Sequence, residues 1–581
     1  MKVLRINSRT KTYAYEPFNE EWRFYGQRGL IDKFVEAELD PKCDPMGPDN
    51  KLFFVTGMFA GTGVTSSGRV SAGGKSPLTG GIKESTAGGI IGPAMTALEI
   101  KGIVIEDQPA AEDPWFVIKI DGEGNLEFLP ADEYMGKDTY EVAELIWEKY
   151  GKGTGAMVLG RAGEMCYKVA SIMCIEFNTG HPCRAMGRGG MGALMGSKKI
   201  KAIIMEKSTH RYTPTFADKE KFDAAKKAMF AIATSNPKCQ GFTTKGTAGF
   251  LTNSNQVTHA IPYHNFRGDF DGEGLTEEQQ KEYGTQAWED HKAERPGTKN
   301  SIPCHAGCGL RCSNVYYDKE GNHVTSGFEY ETISLFGPNC MIFNMDHTAW
   351  LDRWCDEIGI DTMEAGSLLA ICMEAGRIPW GDGDAAIAVL RDEMGKGTEL
   401  GRVMGEGTVA LGKYLGVDRV PQVKGQAFAA YDPRTQPGAG IVYAISPMGA
   451  DHSTGQVVAP AKTPREILAM AANRMLDQCM VDNWGCALVN AAYFGDPEAV
   501  PNLYSGLFGG EWDKAKIYEY GKEMFRIERK FNKEAGFTAA DDKLPDFCYN
   551  EAHPSNGYKF DITNEELEEV FRGMGACYDQ L

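Results

Sequence analysis

A chain of 581 residues, with 61 Lys and Arg against 80 Asp and Glu and a net charge of -19, exceeds what one core can organise and should divide into two to four domains with room for a large buried cofactor. That acidity argues against a nucleic-acid groove and against an anionic membrane surface, so small molecules and basic protein patches are the expected partners. The opening MKVLRINSRTKTYAYEP lacks a signal-type apolar run and no long apolar stretch follows, so a cytoplasmic protein with reduced cysteines and no membrane insertion is expected.

In chain order, KLFFVTG, KGIVIED, PWFVIKID, AMVLG and KKIKAIIM are short β-type runs closed by turn residues, which predicts a mainly β first domain over residues 1–207. From FADKEKFDAAKKAMFAIA the period becomes helical, and HTAWLDRWCDEIG, DTMEAGSLLAICMEAG and DAAIAVLRDEM continue it through a helical domain over 208–415. Near residues 414–426, YLGVDRVPQVKGQ breaks that period before a strand-like GIVYAIS. The long helices PREILAMAANRMLDQ and EWDKAKIYEYGKEMFRIERKF then fill a third domain over 416–581. The fold class is α+β, one mainly β domain followed by two mainly helical ones, and a cofactor is expected at their junction.

Two glycine motifs invite misreading. GRGGMG, residues 187–192, has the dinucleotide-binding spacing, but NTGHPCRAM precedes it and the strand-like KKIKAIIM follows soon after, which is the wrong context for a nicotinamide site. RVSAGGKS, residues 69–76, resembles a phosphate loop but has Arg69 at the first glycine position and Pro77 where the helix should continue. What remains is a glycine-rich domain whose basic residues Arg69, Lys75, Arg184, Arg188 and Lys198 could face phosphates on a large ligand.

Most of the fifteen cysteines, among them Cys355, Cys372 and Cys479, fall in helix-like runs and read as small buried apolar side chains. PCHAGCGLRC, residues 303–312, differs: Cys304, Cys308 and Cys312 share one segment in which Pro303, Gly307 and Gly309 disfavour a regular helix. A loop around a metal is expected, and the spacing alone leaves structural zinc and iron–sulfur equally open.

SSGRVSAGGKSPLTGGIKESTAGG (66–89), LGRAGE (159–164) and RAMGRGGMGALMGSKKIKAI (184–203), followed in order by FEYET (328–332), GIDTMEAG (359–366), YDPR (431–434) and DNWGC (482–486), resemble the aldehyde:ferredoxin oxidoreductase family nearly end to end. The resemblance implies a tungsten or molybdenum bis-pyranopterin, one [4Fe-4S] cluster and a Mg2+ bridging the pterin phosphates. It implies cluster ligands at Cys304, Cys308, Cys312 and Cys486, with Cys479 as the alternative fourth. Here the loop reads C-x3-C-x3-C where better-known members have C-x2-C-x3-C, and Cys486 directly follows Gly485. Asp361 and Asp482 would hold the pterin rings, and Arg69 would lie between pterin and cluster. Arg184 and Ala185 would lie near the phosphates and magnesium, with Thr86 at the other magnesium contact in place of asparagine, and Arg188 is a further cofactor-binding candidate. Glu331 would be the general base, its pKa raised by desolvation, beside Tyr330, and His452 would polarise the aldehyde carbonyl. The implied reaction is oxidation of an aldehyde with water, electrons leaving to ferredoxin or a ferredoxin-like iron–sulfur subunit, in a homo- or hetero-oligomer. The family's other enzyme reading is an aromatic acyl-CoA reductase, and the reading of another class is a non-catalytic metal-binding or electron-transfer subunit. The sole Glu-x-x-His string, Glu320 to His323, reads as a hairpin turn, so no subunit-bridging metal is expected there.

Overall fold

The computed structural model describes residues 1–268, 281–459, 462–490 and 496–581. The first 207 residues form two six-stranded sheets. One contains Lys2–Asn7, Thr12–Pro17, Leu52–Thr56, Val70–Lys75, Ile82–Ala87 and Ile100–Glu106; the other contains Phe116–Ile120, Leu126–Pro130, Gly155–Val158, Ile172–Cys174, Arg184–Met186 and Ile200–Met205. Side chains alternate across a strand, so each sheet presents two apolar faces. Leu52, Phe54, Val70 and Ile103 of the first sheet meet Ile118, Met157, Ile172 and Ile203 of the second in one shared core. On the outer faces, Phe53 and Val55 pack against helix Gln27–Glu38, while Val117 and Val158 pack against helix Thr139–Tyr150. The α+β expectation is met: a mainly β first part is followed by a mainly helical remainder.

Helices Met345–Ile358 and Thr362–Glu374 are started by Asn344 and Asp361, whose side chains accept the first free backbone N–H groups. Thr463 and Glu466 make a reciprocal capping box at Pro464–Asp482. DAAIAVLRDEM is an α-helix only to Ala388; Val389–Met394 continues as a π turn.

Two local expectations fail. GIVYAIS is not a strand but the end of the buried helix Pro437–Ile445. A short all-apolar run carries no period, and here Pro437 occupies the first helical turn while Gly438 and Gly440 let the helix approach its neighbours. GRGGMG, in turn, does follow a strand, Arg184–Met186, and does open a helix, Met191–Ser197. The next strand, Ile200–Met205, lies three positions away in the sheet order rather than beside it, so the parallel crossover of a dinucleotide site is still missing. RVSAGGKS likewise lies mostly in a strand, Val70–Lys75.

A Cβ on Gly438 would lie 2.0 Å from the Val457 carbonyl oxygen. Gly438→Ala should therefore destabilise the fold by about 1–3 kcal/mol, seen as a lower thermal unfolding midpoint, whereas Gly241→Ala, within helix Pro237–Lys245, meets no steric contact within 4 Å and should not lower it.

Candidate active site and cluster loop

The loop 303–312 joins the antiparallel strands Lys299–Ile302 and Ser313–Tyr317, and Gly307 takes its turn at φ +84°. The fold holds it from several sides. Gly309 N–H donates to Thr65 Oγ1 at 2.9 Å and Asn178 Nδ2 donates to the Pro303 carbonyl at 3.2 Å. Ser66 Oγ lies 3.9 Å from Cys308 Sγ. Cys304 and Cys308 are buried, and all fifteen cysteines are free. Cys486, following helix Pro464–Asp482, comes to the same place: Cys304, Cys308, Cys312 and Cys486 all act electrostatically on Arg69. Cys479 does not share that place; its charged neighbours are Arg28, Asp32, Asp482 and Glu528. His305, which the spacing argument passed over, brings a ring nitrogen within 4.8 Å of the Cys304 and Cys308 sulfurs.

Arg69 Nε and Nη2 donate to Thr86 Oγ1 and the Thr86 carbonyl at 3.3 and 3.0 Å, and Nη1 lies 3.9 Å from Cys304 Sγ. Arg184, on strand Arg184–Met186, donates to Ser313 Oγ at 2.5 Å, and its Nε has no partner. Among the described residues, neither guanidinium forms an ion pair with a carboxylate. Ala185 pairs with Met173 in the adjacent strand. Thr86 offers a hydroxyl and a carbonyl already engaged by Arg69, so its expected role beside a cation would have to share those oxygens.

The other basic residues are committed differently. Arg188 donates to Asp361 Oδ2 at 3.0 Å, to the Ala450 carbonyl at 2.8 Å and to the Ala427 carbonyl at 2.5 Å. Lys75 and Lys198, expected to face a ligand, instead tie down carbonyls: Lys75 Nζ donates to those of Pro41 and Cys43, and Lys198 Nζ to those of Asn50 and Asp107. A buried ammonium needs every donor satisfied, and loop carbonyls were the nearest acceptors.

Asp482 accepts from Arg28 Nη1 at 3.0 Å and Gln478 Nε2 at 2.6 Å. Burial pushes its pKa up to about 6 against the pull of Arg28. Asp451 lies within electrostatic reach of Asp482, Arg188 and His452, so the residues of FEYET, GIDTMEAG, DNWGC and SPMGADHSTG surround one interior region.

There Glu331 Oε1 lies 3.2 Å from His452 Nε2 and accepts from the Tyr431 hydroxyl at 3.3 Å. His452 Nδ1 is buried without a partner. Burial pushes the Glu331 carboxyl up, but the hydrogen bond and charge of His452, with Tyr431, outweigh it and hold the pKa below its ordinary value. The expected upward shift is thus reversed, because desolvation is opposed by a partner in direct contact. The upward shift falls instead on Glu329, two residues earlier, which burial pushes to about 7 beside Thr247, Arg184 and Arg69. Tyr330 does not match its catalytic expectation: it is fully buried, its hydroxyl donates to the Ala430 carbonyl at 2.9 Å, and its ring stacks on Tyr431. Tyr431, Glu329 and His305 all sit inside motifs visible in the sequence, and nothing in those strings distinguished them from their neighbours.

Models of the family described as aldehyde ferredoxin oxidoreductase match almost the whole chain, the N-terminal domain over residues 3–207 and domains 2 and 3 over residues 223–576. The chain belongs to the aldehyde ferredoxin oxidoreductase family. Tungsten-containing aldehyde ferredoxin oxidoreductases of Pyrococcus furiosus and Thermococcus kodakarensis are 28% and 29% identical to it, over 96% and 100% of this chain and 93% and 96% of theirs. An aliphatic sulfonate oxidoreductase, WOR-like subunit, of Pyrococcus furiosus is 25% identical over 76% of this chain and 72% of its own. The active-site complex BamBC of benzoyl coenzyme A reductase, solved with 1,5-dienoyl-CoA, shares the fold with a TM-score of 0.80 at 17% identity, covering 99% of this chain and 94% of that one. No described helix of this family member is long and apolar enough to cross a membrane.

A carboxyl with a depressed pKa contributes stability above its unfolded value, here 4.5, and loses it as pH falls through the lower folded value. Replacing His452 with Ala leaves burial less opposed. The infrared C=O band of protonated Glu331, assigned by its loss in Glu331→Gln, should then appear at a higher pH in His452→Ala than in the parent protein.

Proposed function

We propose that this chain is a tungsten-dependent oxidoreductase that oxidises an aldehyde with water to a carboxylic acid and passes electrons through a [4Fe-4S] cluster to ferredoxin or a ferredoxin-like iron–sulfur subunit. The convergence of four free cysteines on a half-buried Arg69 without a carboxylate partner, in the same interior as the Glu331–His452 pair, carries this proposal. Two guanidiniums largely withdrawn from water without carboxylate partners are costly alone, and an anionic cofactor would neutralise them. Burial raises the Cys312 and Cys486 thiols above their ordinary range, so a bound metal is what would make them thiolates.

In this reading Cys304, Cys308, Cys312 and Cys486 hold the cluster, and Arg69 lies between it and the pterin. Arg184, Ala185 and Thr86 serve the phosphate and Mg2+ side, Asp361 and Asp482 serve the pterin rings, and Arg188 positions Asp361. When bound, the tungsten bis-pyranopterin would supply the acceptor for the two electrons released at the carbonyl carbon. The balance is RCHO + H2O → RCOOH + 2H+ + 2e−: a water oxygen bonds the carbonyl carbon and the aldehyde C–H bond breaks. Glu331, ionised at neutral pH, takes the proton of the attacking water without first having to lose one. With His452 Nε2–H donating to Glu331, Nδ1 can donate to the carbonyl oxygen only as imidazolium, which places positive charge where negative charge develops. A substrate that draws His452 away would also free Glu331 from the partner that lowers its basicity.

Tungsten and aldehyde are preferred because the relatives named for them match over nearly the full length, whereas benzoyl coenzyme A reductase is similar in fold at 17% identity. The proximity of His305 to Cys304 and Cys308 is the one observation that favours a zinc staple instead. Elemental analysis separates the two: zinc without iron or tungsten would overturn the redox reading. Cys308→Ser should drop iron well below four atoms per chain and bleach the brown absorbance, and full iron retention would remove Cys308 from the ligand set. Glu331→Gln should keep both metals while kcat for an aldehyde falls by roughly 10² or more; near-parental turnover would show that another group activates the water.

A further inference from the structure

The cluster loop reaches the surface. Ala306 and Gly307, between Cys304 and Cys308, are exposed, as is Arg311 beside Cys312. Helices Lys219–Ser235 and Pro237–Lys245 flank this opening: Phe230 approaches to 3.3 Å of where a Cβ on Gly309 would sit, and Thr243 Oγ1 donates to the Leu310 carbonyl at 2.7 Å. Phe230 is 51% exposed, a large apolar ring left on the surface beside the loop.

The charge around it runs against the rest of the molecule. Residues 219–245 carry six lysines and only Glu220 and Asp223 as acids, in a chain whose net charge is -19. Asp223 is taken up by Lys219 and Lys226, while Lys227, Lys238, Lys245 and Arg311 are exposed.

We infer that the surface formed by Phe230 and Lys227 on one flanking helix, Lys238 and Lys245 on the other and Arg311 on the loop docks a one-electron carrier whose own face is acidic, a small iron–sulfur protein. The inference rests on the cluster ligands proposed above. Electron tunnelling falls steeply with distance, so a carrier must dock where least protein covers the cluster, and the exposed Ala306–Gly307 turn is such a point. A repulsive overall charge makes a local basic rim the feature that orients an acidic partner, while the exposed ring supplies apolar contact at its centre.

The test uses the metal-loaded protein, a purified acidic ferredoxin with two [4Fe-4S] clusters as probe, and basic cytochrome c as comparator. Binding of the ferredoxin should weaken as salt rises, and the triple variant Lys227→Glu, Lys238→Glu, Lys245→Glu should weaken it about tenfold or more at low salt, with iron content and reduction of a small dye unchanged. Unchanged ferredoxin affinity in that variant, or tighter binding of cytochrome c than of ferredoxin by the parent protein, would overturn the inference. Absence of iron from the parent protein would instead defeat the cluster reading, and is read separately from binding.

Discussion

A guanidinium placed where three lengths of chain meet must find a partner for each donor it buries, and Arg188 does so from strand-to-helix glycine loop to helix cap to C-terminal loop. Its contacts with Asp361, Ala427 and Ala450 fasten the first, mainly β part of the chain to both sides of the helical part. Asp361 cannot be moved without releasing this contact, because its other oxygen accepts from Met363 N–H and starts helix Thr362–Glu374. One carboxylate therefore sets a helix origin and fixes a cation, and the interior is assembled around that pair.

Against this fully satisfied arginine, Arg69 and Arg184 stand out. Arg184 is buried and Arg69 half-buried, yet they bond to a hydroxyl, a carbonyl or a sulfur and, among the described residues, pair with no carboxylate. A stable fold does not ordinarily leave such charge uncompensated. The contrast separates arginines whose charge is met by a carboxylate in direct contact from those whose charge is not, and it does so without reference to any relative. Arg28 belongs with the first group: Glu528 and Asp482 both accept from it, so Asp482 reaches the site already positioned by a buried network.

The Glu331–His452 pair shows why burial alone is a poor guide to basicity. Both residues come from motifs far apart in sequence, and only when the chain folds do they meet at 3.2 Å. Desolvation then acts on a carboxyl that is also hydrogen-bonded by an imidazole, and the partner wins. At Glu329 the nearby cations are not in hydrogen-bond contact, and desolvation wins. Two carboxyls in one five-residue string are driven in opposite directions by what lies beside each.

Much of the fold was legible because it depends on local pattern. β-type runs such as KLFFVTG and amphipathic ones such as HTAWLDRWCDEIG mark their own period, and Pro303, Gly307 and Gly309 exclude a helix from the cysteine loop. GIVYAIS was not legible, since an all-apolar run reads the same whether it is buried as strand or helix. The ordered motifs marked the candidate residues, but partners lie outside any string: that Cys486 rather than Cys479 joins the loop, that Lys75 and Lys198 serve carbonyls, and that Tyr330 is an anchor were decided by tertiary structure. The physical reason is the same in each case. Sequence determines which groups a segment carries and how it coils, while the free energy of a buried polar group depends on the atoms that distant segments bring against it.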